Sequence, residues 1–177
     1  TLLLLAGADL LGQAKDPFVV KAAFLCNFTK FAEWPAQAFP DAESPIIIGV
    51  YGEDPFGGKL DAAAAGLQVR NRPVRVRRFT SAPKRGECHL LFVGRRPREG
   101  LGGGDDLLLS LSKEPILTVS DQKNFAAEGG CIGFVDANGA IHFQVNLAAS
   151  DEAGVKLSSG LLKLADHVYK TVPRSKP

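Results

Sequence analysis

Residues 46–66, IIIGVYGEDPFGGKLDAAAAG, decide the fold class. The opening IIIGVYG is a short, apolar, β-branched run without polar alternation, the pattern of a strand buried on both faces. The residues after it read as helix: Asp54 can cap, Pro55 suits a first helical turn, and the alanines carry the helix to Gly66. A buried strand leading directly into a helix is the start of a βαβ unit. Glycines between strand and helix also invite a phosphate-loop reading. The spacing in GVYGEDPFGG is neither G-x-G-x-x-G nor G-x-x-x-x-G-K-[ST], and Glu53 and Asp54 would repel a phosphate at the helix start. A turn and a cap account for the stretch.

The alternation continues outward. In LQVRNRPVRVRRF, 67–79, a turn signal at Asn71–Pro73 precedes a half-exposed strand with Val74 and Val76 on one side and Arg75 and Arg77 on the other. CHLLFVG, 88–94, is a second buried strand. RRPREGLGGGDDLLLSLSK, 95–113, is a polar, Gly-rich loop, GGGDD included, running into a leucine-bearing helix. EPILTVSDQ, 114–122, gives a third buried strand and NFAAEGG, 124–130, a short helical turn stopped by glycines. CIGFVDANGAIHFQVN, 131–146, carries Asn138-Gly139 between alternating runs, a strong hairpin signal. LAASDEAGVKLSSGLLKLADHVYK, 147–170, predicts a helical turn ending near Gly154, then a helix capped by Ser158 or Ser159 with Leu161, Leu162, Ala165 and Val168 inward. The expected fold is therefore a single α/β domain with a mixed, largely parallel sheet flanked by helices and closed by a C-terminal hairpin and helix.

Upstream lies KAAFLCNFTKFAEWP, 21–35, which places four aromatic rings in fifteen residues of a chain that is 8% aromatic. Phe24, Phe28, Phe31 and Trp34 fall near one face of a helix, with Leu25 beside them, and Pro35 marks the helix end. A core-facing amphipathic helix explains the face; a ligand-stacking face is the alternative. PAQAFPDAESP, 35–45, reads as an exposed loop.

Composition bounds the function. The 177 residues, 45% hydrophobic, suit one domain, and a formal net charge of +2 supplies no strong field for a polyanion. The basic strip Arg70, Arg72, Arg75, Arg77 and Arg78 has only Phe79 interleaved, so a solvated sheet edge is favoured over nucleic-acid binding; an acidic partner or anionic headgroups remain open. Three cysteines with no C-x-x-C and no Cys/His cluster give no metal site, and no cofactor is expected. Cys88 and His89 are neighbours on a strand, so their side chains point to opposite faces and form no dyad; His142 and His167 have no sequence partners. TLLLLAGADLLGQAKDP, 1–17, has an apolar run followed by small residues, as the end of a secretory leader does, with cleavage expected near Ala14; a short amphipathic helix competes with that reading. No later stretch approaches the ~20 apolar residues of a membrane span. The boundaries are thus a leader remnant over 1–14, a domain over 17–170 and a tail over 171–177.

Taken in order, VKAAFLCNFTKFAEWP, IIIGVYGEDPFGG, RPVRVRRF, CHLLFVG, ILTVSD, FAAEGGCIGF, IHFQVNLAA and GVKLSSGLLKLA resemble the YfiR-like family of small periplasmic proteins over most of residues 18–166. The resemblance implies a non-enzymatic, dimeric periplasmic regulator. It implies repression of an inner-membrane diguanylate cyclase, or of a sensor kinase, through that partner's periplasmic domain, with release by an outer-membrane lipoprotein and consequences for cyclic di-GMP and biofilm growth. It also implies disulfides, including a closely spaced pair in the segment matching 126–133, where this chain has only Cys131; Cys26 stands where Tyr is usual. The residues expected to meet a ligand or partner are Trp34, Phe31, Arg75 and Arg77. A periplasmic small-molecule receptor with an aromatic-lined pocket near Trp34 is the second reading.

Overall fold

The computed structural model describes residues 16–95 and 104–171, so the expected leader, most of the Gly-rich loop and residues 172–177 lie outside the described residues. The chain enters through helix α1, Pro17–Phe31, whose start is dictated locally: the Asp16 side chain accepts from the Phe18 N–H at 2.9 Å and Pro17 occupies the first turn. A two-residue strand β1, Ala32–Glu33, comes next, then β2, Ile46–Tyr51. Helix α2, Lys59–Ala64, leads to β3, Gln68–Val69, and β4, Arg72–Phe79. Beyond them lie β5, Leu90–Val93, α3, Gly104–Leu111, and β6, Leu117–Ser120. The hairpin is β7, Ile132–Ala137, and β8, Ala140–Asn146; α4, Leu147–Glu152, β9, Lys156–Leu157, α5, Ser159–Leu164, and β10, His167–Tyr169, close the domain.

Eight strands form one sheet in the order β10-β8-β7-β6-β5-β2-β4-β3, and β1 pairs separately with β9. Within the large sheet, β4-β2-β5-β6-β7 and β8-β10 run parallel; only the hairpin β7-β8 and the short β3-β4 pair are antiparallel. This is the mixed, largely parallel sheet that the sequence predicts. Both sheet faces are packed. Ile48, Val50, Leu90, Phe92, Leu117, Val119 and Ile132 join Leu25 and Phe28 of α1 and Leu60 of α2 in the larger core, while Tyr51, Leu91 and Val93 meet Leu107 and Leu111 of α3 on the other side. The Asn138-Gly139 turn has φ of 56° and 79°, the left-handed pair that a two-residue hairpin requires.

Four local expectations are corrected. Helix α2 begins at Lys59, because the Asp54 carboxylate accepts from Phe56 N–H at 2.8 Å and holds a turn instead of capping a helix. Helix α1 ends at Phe31, three residues before Trp34, because Ala32 and Glu33 pair with Leu157 and Lys156. The closing helix, capped by Ser158 as one of the two expected residues, stops at Leu164; Val168 lies in β10, drawn into the sheet opposite Val145. Gly104, Asp105 and Asp106 belong to α3 rather than to a loop.

Candidate partner-binding site

At the amino end of the parallel strands, the aromatic residues are engaged with one another. Trp34 Nε1 donates to the His89 carbonyl at 2.9 Å, and His89 accepts on Nδ1 from the Ile47 N–H at 3.0 Å while Nε2 lies 3.1 Å from the Ala38 carbonyl. One ring nitrogen accepting and the other donating is the pattern of a neutral imidazole. Burial pushes the His89 pKa below its usual value, against the opposing Ala38 hydrogen bond. The His89 ring stacks on Phe39 at 4.3 Å, and the Arg72 guanidinium lies 3.9 Å from the Phe39 ring centre. Trp34 is half-buried within this stack. Phe31, also half-buried, packs against the larger core with Gly160 beside its ring.

The basic strip splits between the two faces of the sheet. On the α2 side, Arg78 bonds to both oxygens of Asp61, to Asp54 and to the Gly57 carbonyl, and Arg72 donates to the carbonyls of Asp41 and Ser44. Arg70 donates to the Ala32 carbonyl and pairs with Glu33. The Arg78 pair holds the Asp61 carboxyl below its ordinary range. Arg75 and Arg77 stand on the opposite face, both exposed, opposite Ile47 and Gly49 of β2. Among the described residues neither forms a salt bridge; Arg77 lies 5.0 Å from the Phe79 ring centre. Alternation in the sequence separated Arg75 and Arg77 from the valines, but it could not show that the other three arginines are spent on loop carbonyls and carboxylates.

The three cysteines are free and buried. Burial pushes the Cys26 thiol up to about 11 and Cys88 up to about 12, the latter with help from Glu87; Cys131 is raised by burial as well. Thiols this far above neutral stay protonated and unreactive. Cys131 and Cys26 belong to the larger core and Cys88 to the smaller one, so sheet and packing separate Cys88 from the others. The closely spaced bridge that the family resemblance implies cannot form at 126–133, where Cys131 stands alone, as the sequence indicates.

A concavity that the sequence did not disclose lies at the other end of the sheet. The chain runs from β2 to β4 on one side and returns to β5 on the other, so β2 and β5 form the switch point of the parallel strands, where open α/β sheets leave a crevice at their carboxyl ends. There Glu53, Arg95 and Asp121 surround a cleft of about 200 Å³ walled by Phe18, Pro55 and Phe92. The GVYGEDPFGG turn, which lacks the spacing of a phosphate loop, contributes two of these residues.

Sheet order and the two packed faces together define a small single-domain α/β protein. A family model described as YfiR/HmsC-like matches residues 18–166, and the chain belongs to that family. The family is regulatory and periplasmic and is associated with cyclic di-GMP signalling. No curated protein matches the chain. Among the described residues, no helix is long and apolar enough to cross a membrane.

Proposed function

We propose that this chain is a periplasmic, non-enzymatic regulator that binds the periplasmic domain of an inner-membrane signalling protein, a diguanylate cyclase or a sensor kinase, and holds it inactive. The family match over 18–166 carries this reading, since it spans the described domain nearly from end to end. On this reading the contact runs through Arg75 and Arg77. They are exposed, lie two residues apart on one strand face and lack carboxylate partners among the described residues, so they suit an acidic patch. Trp34 and Phe31, with most of their surface committed to packing, add at most an edge to that contact. Release by an outer-membrane lipoprotein and a homodimeric state belong to the same proposal.

The test is complementation in a strain lacking the protein. Wild type lowers cyclic di-GMP or kinase output and co-purifies with the membrane partner; an Arg75→Glu, Arg77→Glu double variant that melts like wild type loses both. Normal repression by that folded double variant moves the interface elsewhere. Failure of the wild type to change either output, or to retain any membrane signalling protein, removes the regulatory reading.

A further inference from the structure

We infer that the outer edge of β4 is a docking strip for an extended acidic segment of the partner, which adds to the sheet as a strand beside residues 74–79. The inference rests on the reading that Arg75 and Arg77 carry the partner contact, and it names the form that contact takes. Pairing supplies the first observation. β2 pairs with β4 from Val74 to Phe79, but on the other side β3 meets only Arg72 and Pro73. The shortness of β3 has a local cause: Arg70 and Asn71, with φ of 49° and 64°, make a tight turn into β4, and Gly66, with φ of 71°, sits where the chain leaves α2. Leu67 is the last residue to reach across, its carbonyl accepting from the Val74 N–H at 2.9 Å. That bond also fixes which backbone groups are left over. Alternate residues of a strand turn their N–H and C=O to the same side, so those of Val76 and Arg78 face outward with Val74, while those of Arg75 and Arg77 face β2. Among the described residues, nothing meets the backbone N–H and C=O of Val76 and Arg78.

Charge supplies the second observation and selects the occupant. Arg75 and Arg77 are both exposed on one face of the strand, and among the described residues no hydrogen bond or ion pair reaches either guanidinium. Arg78, on the opposite face, is already paired with Asp54 and Asp61. A strand laid along this edge sets alternate side chains beside Arg75 and Arg77 at cross-strand distance. Carboxylates at alternate positions of the incoming segment therefore complement the strip, and backbone pairing supplies affinity that two exposed ion pairs lack. A second copy of β4 fits poorly, because its own Arg75 and Arg77 would stand against these.

The experiment titrates the full chain, at low salt, into a fluorescently labelled, end-blocked eight-residue peptide that alternates glutamate with threonine, and reads anisotropy. Saturable binding is expected, weakened at least tenfold when glutamine replaces glutamate and when the protein carries Arg75→Glu and Arg77→Glu. Methylating one alternate set of the peptide's amide nitrogens should abolish binding while methylating the other set spares it, because only one set faces β4. In the complex, the amides of Val76 and Arg78 should exchange at least tenfold more slowly than in the free chain. Absence of saturable binding, equal binding of the glutamine peptide, equal effects of the two methylations, or unchanged exchange at both amides overturns the inference. So does slow exchange at both amides in the free chain that is lost on dilution, which puts a second copy on the edge. Charge-dependent binding without the methylation and exchange patterns removes the added strand alone and leaves Arg75 and Arg77 as the contact. Normal repression in cells by the folded double variant removes that contact itself.

Discussion

His89 is the residue through which pH acts most directly on this fold. Its ring is buried, its Nδ1 accepts from Ile47 N–H, and protonating that nitrogen would set two donors against each other. The folded pKa therefore lies below the ordinary 6.5, with burial as the main cause. The sign comes from linkage: below 6.5 the unfolded chain takes up a proton that the folded chain refuses, so this contribution is complete above 6.5 and is lost as pH falls from there toward the folded value. Carboxylates such as Asp41, lowered first by its Ser44 hydrogen bond, act only below their ordinary 3.8. The midpoint of urea unfolding should thus fall between pH 7 and pH 5, and His89→Gln should flatten that slope while lowering stability at pH 7 by about 1–3 kcal/mol. An unchanged slope in the variant would place the acid sensitivity elsewhere. Cys88, beside it, is expected to be silent: a folded Cys88→Ser variant should repress the partner as wild type does, since a thiol pushed up to about 12 has no thiolate to offer near neutral pH.

At the scale of elements, α1 shows both what the sequence disclosed and what it concealed. The aromatic spacing correctly placed Phe24 and Phe28 toward the core, where both meet Phe134 and Phe143 of the hairpin with ring centres 5.1 to 6.0 Å apart. The pattern does not say that the buried stripe also includes Lys21 and Thr29: Lys21 pairs with Asp121, a hundred residues away, and Thr29 turns its hydroxyl back to the Cys26 carbonyl of its own helix. Nor does it mark the helix end, which is fixed by pairing with β9 more than a hundred residues away. The three phenylalanines are accordingly unequal. Phe28, 1% exposed, should cost about 3–5 kcal/mol when truncated to alanine, while half-buried Phe24 and Phe31 should cost clearly less. Denaturant melts of the three variants check the ranking, and equal losses would mean that Phe24 and Phe31 are buried in solution. The same limit governed β4: alternation showed two faces, but the arginines' acceptors come from the 41–44 and 54–61 segments, which no strand pattern identifies.

At the scale of the whole molecule, strand order sets where stability resides. The apolar runs at 46–51, 90–93 and 117–120 identified buried strands, and they are the three adjacent strands at the centre of the sheet, covered on both faces. Their order could not be read from the sequence, because buried parallel strands look alike and pairing is chosen by crossovers and packing. The consequence is a gradient. β2, β5 and β6 each have a hydrogen-bonded neighbour on both sides, whereas β3 and β10 are two- and three-residue edges with one neighbour each. Opening an edge exposes little apolar surface; opening β5 exposes Leu90, Leu91 and Phe92, all at 0% exposure, and breaks both cores together. Amide hydrogen exchange should therefore be slowest in β2, β5 and β6, approaching the global unfolding free energy, and fastest in β3 and β10. The hairpin β7-β8 should fall close to the centre near Ile132 and Val145 and exchange faster toward its turn at Asn138. Protection of β10 equal to that of β5 would mean that the outer edge is covered in solution, as a strand-to-strand dimer contact would cover it, and size-exclusion chromatography on the same sample would show whether a second copy does so.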